Sequence, residues 1–339
     1  MQFTLNISTH PGDLAIIGDD WAHAQQLSAD EGFDGYELYP VGHHPWERVP
    51  SGLMRGLHLR FYPILTPFWQ GDRRRLLEIF DDEETVAHFY GGLTREALIA
   101  EYRAQLALAQ QLGCAYVVFH LAQSEFEHIY DWRFPWSWRD TIDLCAELLG
   151  AVFADTPYTG ELLLENLWWP GSFRALEAEE IAYALERVAY PRTGIMLDTG
   201  HVLNTNQHIA AEADGIRFLL ATARSWGEMR RAIRGVHLTR SLSADYVTRT
   251  RAARPPAPAP GSFWDRFHQA IDHVRQIDQH DAFTDPAIAG LFEVIAPAYV
   301  TYEFTYASRE EWLEKIRRQR FAMASVHGDK REEAPCSPR

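Results

Sequence analysis

Histidines and carboxylates recur along this chain at the ends of short apolar runs. His58 lies in GLHL, His120 closes VVFH, and Glu165 follows the leucines of ELLLEN. Asp198 and His201 stand together in IMLDTGH, His237 in GVHL and Glu303 in VTYEFT. A further pair, Asp278 and His280 in QIDQHDAF, follows a helical stretch. Charge beside apolar runs is expensive unless it is paired or binds metal. Mixed imidazole and carboxylate donors suit zinc, manganese or another divalent first-row ion. Taken singly, each residue has a plainer use. A histidine can bond to backbone, an acid can cap a helix, and Asp198-Thr-Gly-His201 can be a capped turn. Whether the donors meet depends on the elements that carry them.

Those elements alternate. Short β-rich runs fall at Phe3–Ile7, Gly35–Leu38, Gly56–Phe61, Tyr116–His120, Leu162–Glu165, Thr193–Asp198, Gly235–Leu238 and Val300–Phe304. Helical periodicity separates most of them, at Asp19–Glu31, Thr94–Leu112, Trp138–Phe153, Glu177–Val188, Ile209–Ser225, Phe263–Ile277 and Arg309–Ala324. The runs are apolar nearly throughout, as strands covered on both faces are. This pattern predicts an α/β fold, a (β/α)8 TIM barrel with insertions, over residues 1–326 as a single domain. An open doubly wound sheet is the alternative, and more often carries a glycine-rich first turn. In a barrel the strand C-termini converge on one mouth, which would bring the histidines and carboxylates together.

Three insertions follow strands and would rise on that same face, at about residues 66–92, 124–138 and 240–262. The first is charged with a short helical stretch, and the second is rich in aromatics (EFEHIYDWRFPWSW). The third contains RTRAARPPAPAPG, Arg249–Gly261, which reads as an extended, mobile cover or as a passive loop. The polar stretch His327–Arg339 reads as a disordered tail.

Composition narrows the chemistry. The 339 residues carry 32 basic and 47 acidic side chains, a formal net charge of −15 that disfavours broad contact with nucleic acid or anionic membrane. No apolar run approaches the roughly 20 residues of a membrane span. Three cysteines (Cys114, Cys145, Cys336) make neither a disulfide framework nor a cysteine zinc site, so a reducing cytoplasm is the expected compartment. The only lysines, Lys315 and Lys330, suit neither a Schiff base on a strand end nor a P-loop. The GxSxG elbow of serine hydrolases and the GxGxxG of dinucleotide folds are also missing.

The motifs GFDGYEL (Gly32–Leu38, with Glu37), LLLEN, LDTGH, VHL and YEF occur in the order found in the xylose-isomerase-like TIM-barrel superfamily. The chain resembles that superfamily from about Phe3 to Phe321. It holds sugar isomerases, ketose 3-epimerases and endonuclease IV. The resemblance implies a core metal set of Glu165, Asp198, His237 and Glu303, with His201 beside the substrate. Similarity to endonuclease IV implies more: three zinc ions on His58, His120, Glu165, Asp198, His201, His237, Asp278, His280 and Glu303. Three departures fall in the loops. AFTDP replaces a glycine-rich step after Asp278-x-His280, the gap from His237 to Asp278 is long, and LRFYP after His58 differs.

Two mechanisms are open on one site. In the first, which the acidic charge favours, the protein is a metal-dependent isomerase or epimerase of a sugar-like small molecule. Metal polarises a carbonyl, and Glu165 and Glu303, from opposite sides of the mouth, act as base and acid. His201 and Arg240 orient oxygens, and Trp168 stacks on the substrate; Arg240 equally suits pairing with an acidic neighbour. The second is a phosphodiester hydrolase of the endonuclease IV type, to which the additional donors point. One ion suits the first reading and three suit the second. Duplex DNA is disfavoured as a partner, because arginines near the mouth (Arg60, Arg133, Arg139, Arg240, Arg249, Arg251) are interleaved with acids. A barrel kept only as a scaffold is a third class, disfavoured by the intact donor set.

Overall fold

The computed structural model describes residues 1–253 and 261–327. Eight strands form the centre: β1 (Gln2–Ser8), β2 (Gly35–Tyr39), β3 (Met54–His58), β4 (Tyr116–His120), β5 (Glu161–Glu165), β6 (Thr193–Asp198), β7 (Ile233–Leu238) and β8 (Tyr299–Tyr302). Each pairs in parallel with the next, and β8 closes onto β1, giving a (β/α)8 TIM barrel. Register then does the positioning. His120 lies opposite Glu165 and Asp198 opposite His237, so these four occupy adjoining rungs at the C-terminal rim. Glu303 is the residue just past β8, one step beyond the Leu238–Tyr302 rung.

Size matching fills the barrel. Tyr116, Val118, Leu163 and Met196 form a separate buried cluster within it. Tyr116 needs room that only glycine leaves, since a Cβ on Gly56 would stand 2.3 Å from its ring. A Cβ on Gly235 would likewise meet Met196 at 2.6 Å. Outside, the helices present apolar seams at helical spacing to the strands. Leu98, Tyr102, Leu106 and Ala109 are buried along Arg95–Leu112, and Trp312, Ile316 and Gln319 along Arg309–Ala322.

Several sequence-based boundaries shift. Strand three, expected at Gly56–Phe61, is Met54–His58. After it Leu59 N bonds across to Val118 O at 2.9 Å, and regular strand structure ends there. The first insertion is more helical than expected, with helices at Thr66–Gln70, Arg73–Phe80 and Glu83–Tyr90, the latter two capped by Asp72 and Asp82. The aromatic insertion contains helix Phe126–Asp131. Residues 249–252 are not extended. They end helix Ala244–Ala252, whose Val247 is buried. The Pro/Ala core of that segment, residues 254–260, lies outside the described residues, as do 328–339. His327 does not begin a disordered tail. It ends helix Ala324–His327, is buried, and stacks on Phe3 with ring centroids 4.0 Å apart.

Gly56→Ala should therefore overpack the barrel interior. The expected loss is about 1–3 kcal/mol, read as an earlier urea midpoint. An unchanged midpoint would mean that Tyr116 moves aside without penalty.

Candidate metal centre

The barrel brings all nine sequence-selected donors to its mouth, in three groups whose ligand atoms lie within 4.8 Å of one another: His58, His120 and Glu165; Glu165, Asp198, His237 and Glu303; His201, Asp278 and His280. Glu165 joins the first two. Its Oε2 lies 2.9 Å from both His58 Nε2 and His120 Nε2, and its Oε1 lies 3.1 Å from His237 Nδ1. Glu303 Oε2 is 3.0 Å from the same His237 nitrogen. The two glutamates, from strands three places apart, therefore converge on one imidazole. In the third group Asp278 Oδ2 is 3.1 Å from His201 Nε2 and 2.6 Å from His280 Nε2.

Backbone and neighbouring side chains set which imidazole nitrogen is free. A carbonyl oxygen only accepts, so His58 Nδ1 donates to Leu59 O (2.9 Å) and His201 Nδ1 donates to Asn166 O (2.7 Å). With Nδ1 committed as a donor, Nε2 of each ring is the nitrogen that would take a metal ion in place of the proton it shares with a carboxylate. For His237 the order is reversed. Its Nε2 lies 2.9 Å from Glu37 Oε1, off the line of a straight hydrogen bond, and its Nδ1 faces the centre. Glu37 is held from behind by Tyr116 Oη (2.8 Å) and Thr301 Oγ1 (3.0 Å), both donating to its Oε2. Asn166 ties β5 to β6, donating to Asp198 O and accepting from Asp198 N. Asp198 caps helix Thr199–Asn204 through Oδ1, which accepts from His201 N at 2.6 Å. The capped turn and the donor are thus one residue using two oxygens.

The electrostatics fit a cation. Asp198 is fully buried and its Oδ2 has no protein partner. Burial first, then Glu303, Asp278 and Glu165 push its carboxyl up to about 7 against the pull of His201. Burial also raises Glu165, but His120 and His237 outweigh it and hold that carboxyl well below the usual range. Glu303 is likewise brought down to about 2 against burial, mainly by His237 and His280. Burial lowers His280, yet Asp278 and Glu303 raise it to about 9. Carboxylates crowded this closely repel, and the buried unpartnered oxygen of Asp198 is where a divalent ion would relieve them. The residues fit zinc or manganese.

Trp168 is buried with its ring 5.1 Å from that of His201, so it walls the centre beside the third group. Arg240 takes the other course open to it and pairs with acids. Its Nη1 reaches Glu212 Oε2 at 2.8 Å and its Nη2 reaches Asp281 Oδ2 at 2.5 Å. Its backbone also bridges to Asp281, which fixes the loop carrying Asp278 and His280. Two supporting residues, Glu37 and Asn166, carry no role in the sequence reading. Glu37 sits inside GFDGYEL and Asn166 closes LLLEN, and a polar side chain at an apolar strand end is the signal for both.

A closed parallel barrel with a histidine–carboxylate cluster at its C-terminal rim defines the class of metal-centred TIM barrels. Residues 25–271 match the xylose isomerase-like TIM barrel family, and the chain belongs to it. Endonuclease IV from Thermus thermophilus is similar in structure, with a TM-score of 0.52 at 16% identity, covering 96% of this chain and 100% of the other. A D-tagatose 3-epimerase-like protein is similar too, with a TM-score of 0.51 at 13% identity, covering 96% and 98%. A comparison with curated proteins returns no match.

Two variants test the centre. Asp198→Ala is expected to lower metal content per chain, measured by elemental analysis after dialysis, because it removes both charge and a donor atom. Glu37→Gln is expected to weaken metal affinity by about 10–100-fold through His237. Unchanged content or affinity would remove the residue concerned from the ligand set or its support.

Proposed function

We propose that this chain is a metal-dependent phosphoester hydrolase acting on a compact substrate. The observation that carries this reading is the double position of Glu165, whose two oxygens face separate donor groups while a third group adjoins them. An isomerase working with one ion needs Glu165, Asp198, His237 and Glu303, with His201 beside the substrate, and leaves His58, His120, Asp278 and His280 without a task. Divalent ions, held by the three groups, would supply Lewis acidity and charge neutralisation for displacement at phosphorus.

The chain's own residues hold the geometry and the proton. Leu59 O, Asn166 O and Glu37 fix the rings of His58, His201 and His237, and Trp168 keeps water from the flank of His201. Glu165 and Glu303 are the carboxylates that reach the centre from β5 and from the end of β8, and either would be the group to take the proton of an attacking water. Glu303 is the better placed, with 17% of its side chain exposed against 1% for Glu165.

The mouth is poorly furnished for a DNA backbone. Arg240 is tied to Glu212 and Asp281, Arg139 to Glu179, and Arg75 to Glu125 and Glu127. Arg60 lies over the Tyr62 ring at 4.9 Å, and Arg251 bonds Gln207 and lies over Trp132. A compact phosphoester needs no such surface, because its charge is met at the centre. The sugar isomerase or epimerase remains the second reading, favoured by the four-residue group around His237, which is complete by itself.

Zinc- or manganese-loaded protein is expected to hydrolyse p-nitrophenyl phosphate mono- or diesters, with the activity lost to chelator. Glu165→Gln and Glu303→Gln should each lower turnover by about 100-fold or more with an unchanged circular dichroism spectrum. Near-native turnover in either variant would end the two-carboxylate mechanism. One bound ion per chain together with epimerisation of a ketose would establish the second reading instead. A duplex with an abasic site should be neither incised nor bound with the steep salt dependence, a slope of roughly −0.9 per neutralised phosphate, that DNA contacts bring. Chelator-sensitive incision beside the lesion would overturn the compact-substrate assignment.

A further inference from the structure

Beside the first donor group lies an apolar pocket of about 210 Å³. Its walls include Tyr39, Phe61, Ser124, Trp169, Ala270 and Ile271. Two of these walls touch the metal centre directly. The Tyr39 ring is 5.7 Å from that of His58, and the Phe61 ring meets that of His120 edge-on at 4.7 Å. Phe61 and Trp169 lie 6.3 Å apart, so the lining is aromatic from the histidines outward. The opposite wall comes from helix Phe263–Ile277, which precedes Asp278 and follows the Pro/Ala segment.

Volume and polarity select the occupant. An apolar cavity of about 150 Å³ is enough for benzene, whereas drug-sized ligands fill roughly 300–1,000 Å³. The pocket therefore takes one ring and not a stacked pair of bases. Its polar wall residues offer little to an occupant, since Ser124 Oγ and Trp169 Nε1 are buried out of reach behind the lining. Glu125, the charged residue of the lining, is committed to Arg75 at 2.8 Å. What fits is an uncharged planar ring.

We propose that this pocket is the subsite for a single planar, uncharged ring carried by a phosphoester whose phosphoryl group sits at the metal centre. The assignment of the phosphoryl end rests on the hydrolase reading, and the pocket itself does not. Ring contacts of Tyr39 with His58 and of Phe61 with His120 set the pocket beside the first donor group.

The test separates the two parts. Saturation-transfer NMR with phenol, a neutral probe, reads the pocket alone; calorimetry of zinc-loaded protein with phenylphosphonate and methylphosphonate reads the link to the centre. Wild type is expected to give transfer to phenol and to bind phenylphosphonate at least ten-fold more tightly than methylphosphonate. Ala270→Phe, which fills the pocket, should abolish both effects and leave methylphosphonate affinity and zinc content unchanged. Ile271→Trp, at a partly exposed position of the same wall, does the same work if Ala270→Phe fails to fold. Absence of transfer to phenol, or equal affinity for the two phosphonates, overturns the subsite while leaving the hydrolase reading standing. Transfer to phenol with neither phosphonate bound overturns the phosphoryl assignment instead.

Discussion

The structure turns on a concentration of like charge that the barrel imposes and its own side chains cannot relieve. Four carboxylates, Glu165, Asp198, Asp278 and Glu303, are gathered with five imidazoles at the strand ends. Strand register fixes Glu165 and Asp198 at the rim, and Glu303 follows directly on β8. Asp198 is the point of greatest strain, fully buried with one oxygen used as a helix cap and the other unpartnered. Removing a solvated carboxylate to such a place is unfavourable unless a cation meets it. The supporting contacts are arranged accordingly. Carbonyls of Leu59 and Asn166 occupy the outward nitrogens of His58 and His201, and the carboxylate of Glu37 lies against that of His237, so the inward nitrogens face the donor groups.

That support reaches deep into the barrel. Glu37 is held by Tyr116 and Thr301, and Tyr116 fits only because Gly56 has no side chain. Packing of the interior and orientation of His237 are therefore one problem. A change two layers below the mouth can alter the metal without touching a ligand.

This coupling explains what the sequence made legible. The donors could be read because each sits at the end of an apolar run, and parallel closure carries every such end to one rim. The order of strands followed from the same runs. What a linear reading could not reach were properties that depend on the third dimension. Arg240 is three residues past His237, close enough to suggest a substrate contact, but Glu212 and Asp281 arrive beside it from distant segments. Glu37 was visible as part of a motif, while its contact with His237 joins strands five places apart in sequence. Residues 249–252 looked extended beside a proline-rich stretch, yet the helix begins earlier, at Ala244, and buries Val247. His327 appeared to start a polar tail, and only the fold brings Phe3, Gly32 and Tyr302 around it.

Charge balance at the mouth links ion number to substrate. With neutral imidazoles, one divalent ion leaves the four carboxylates in excess, and an anionic substrate would be repelled by the centre meant to bind it. Three ions reverse the sign and create a net positive site walled by Trp168 and the aromatic lining near His58 and His120. Among the arginines nearby, Arg75, Arg139 and Arg240 are already neutralised by carboxylate partners. Recognition of an anion would then rest on the cluster itself, which reaches only a short distance because exposed charge is screened within about 8–10 Å at physiological salt. A centre of that kind selects for a small group presented at close range. It offers little hold on a long polyanion whose remaining phosphates lie beyond the screening length.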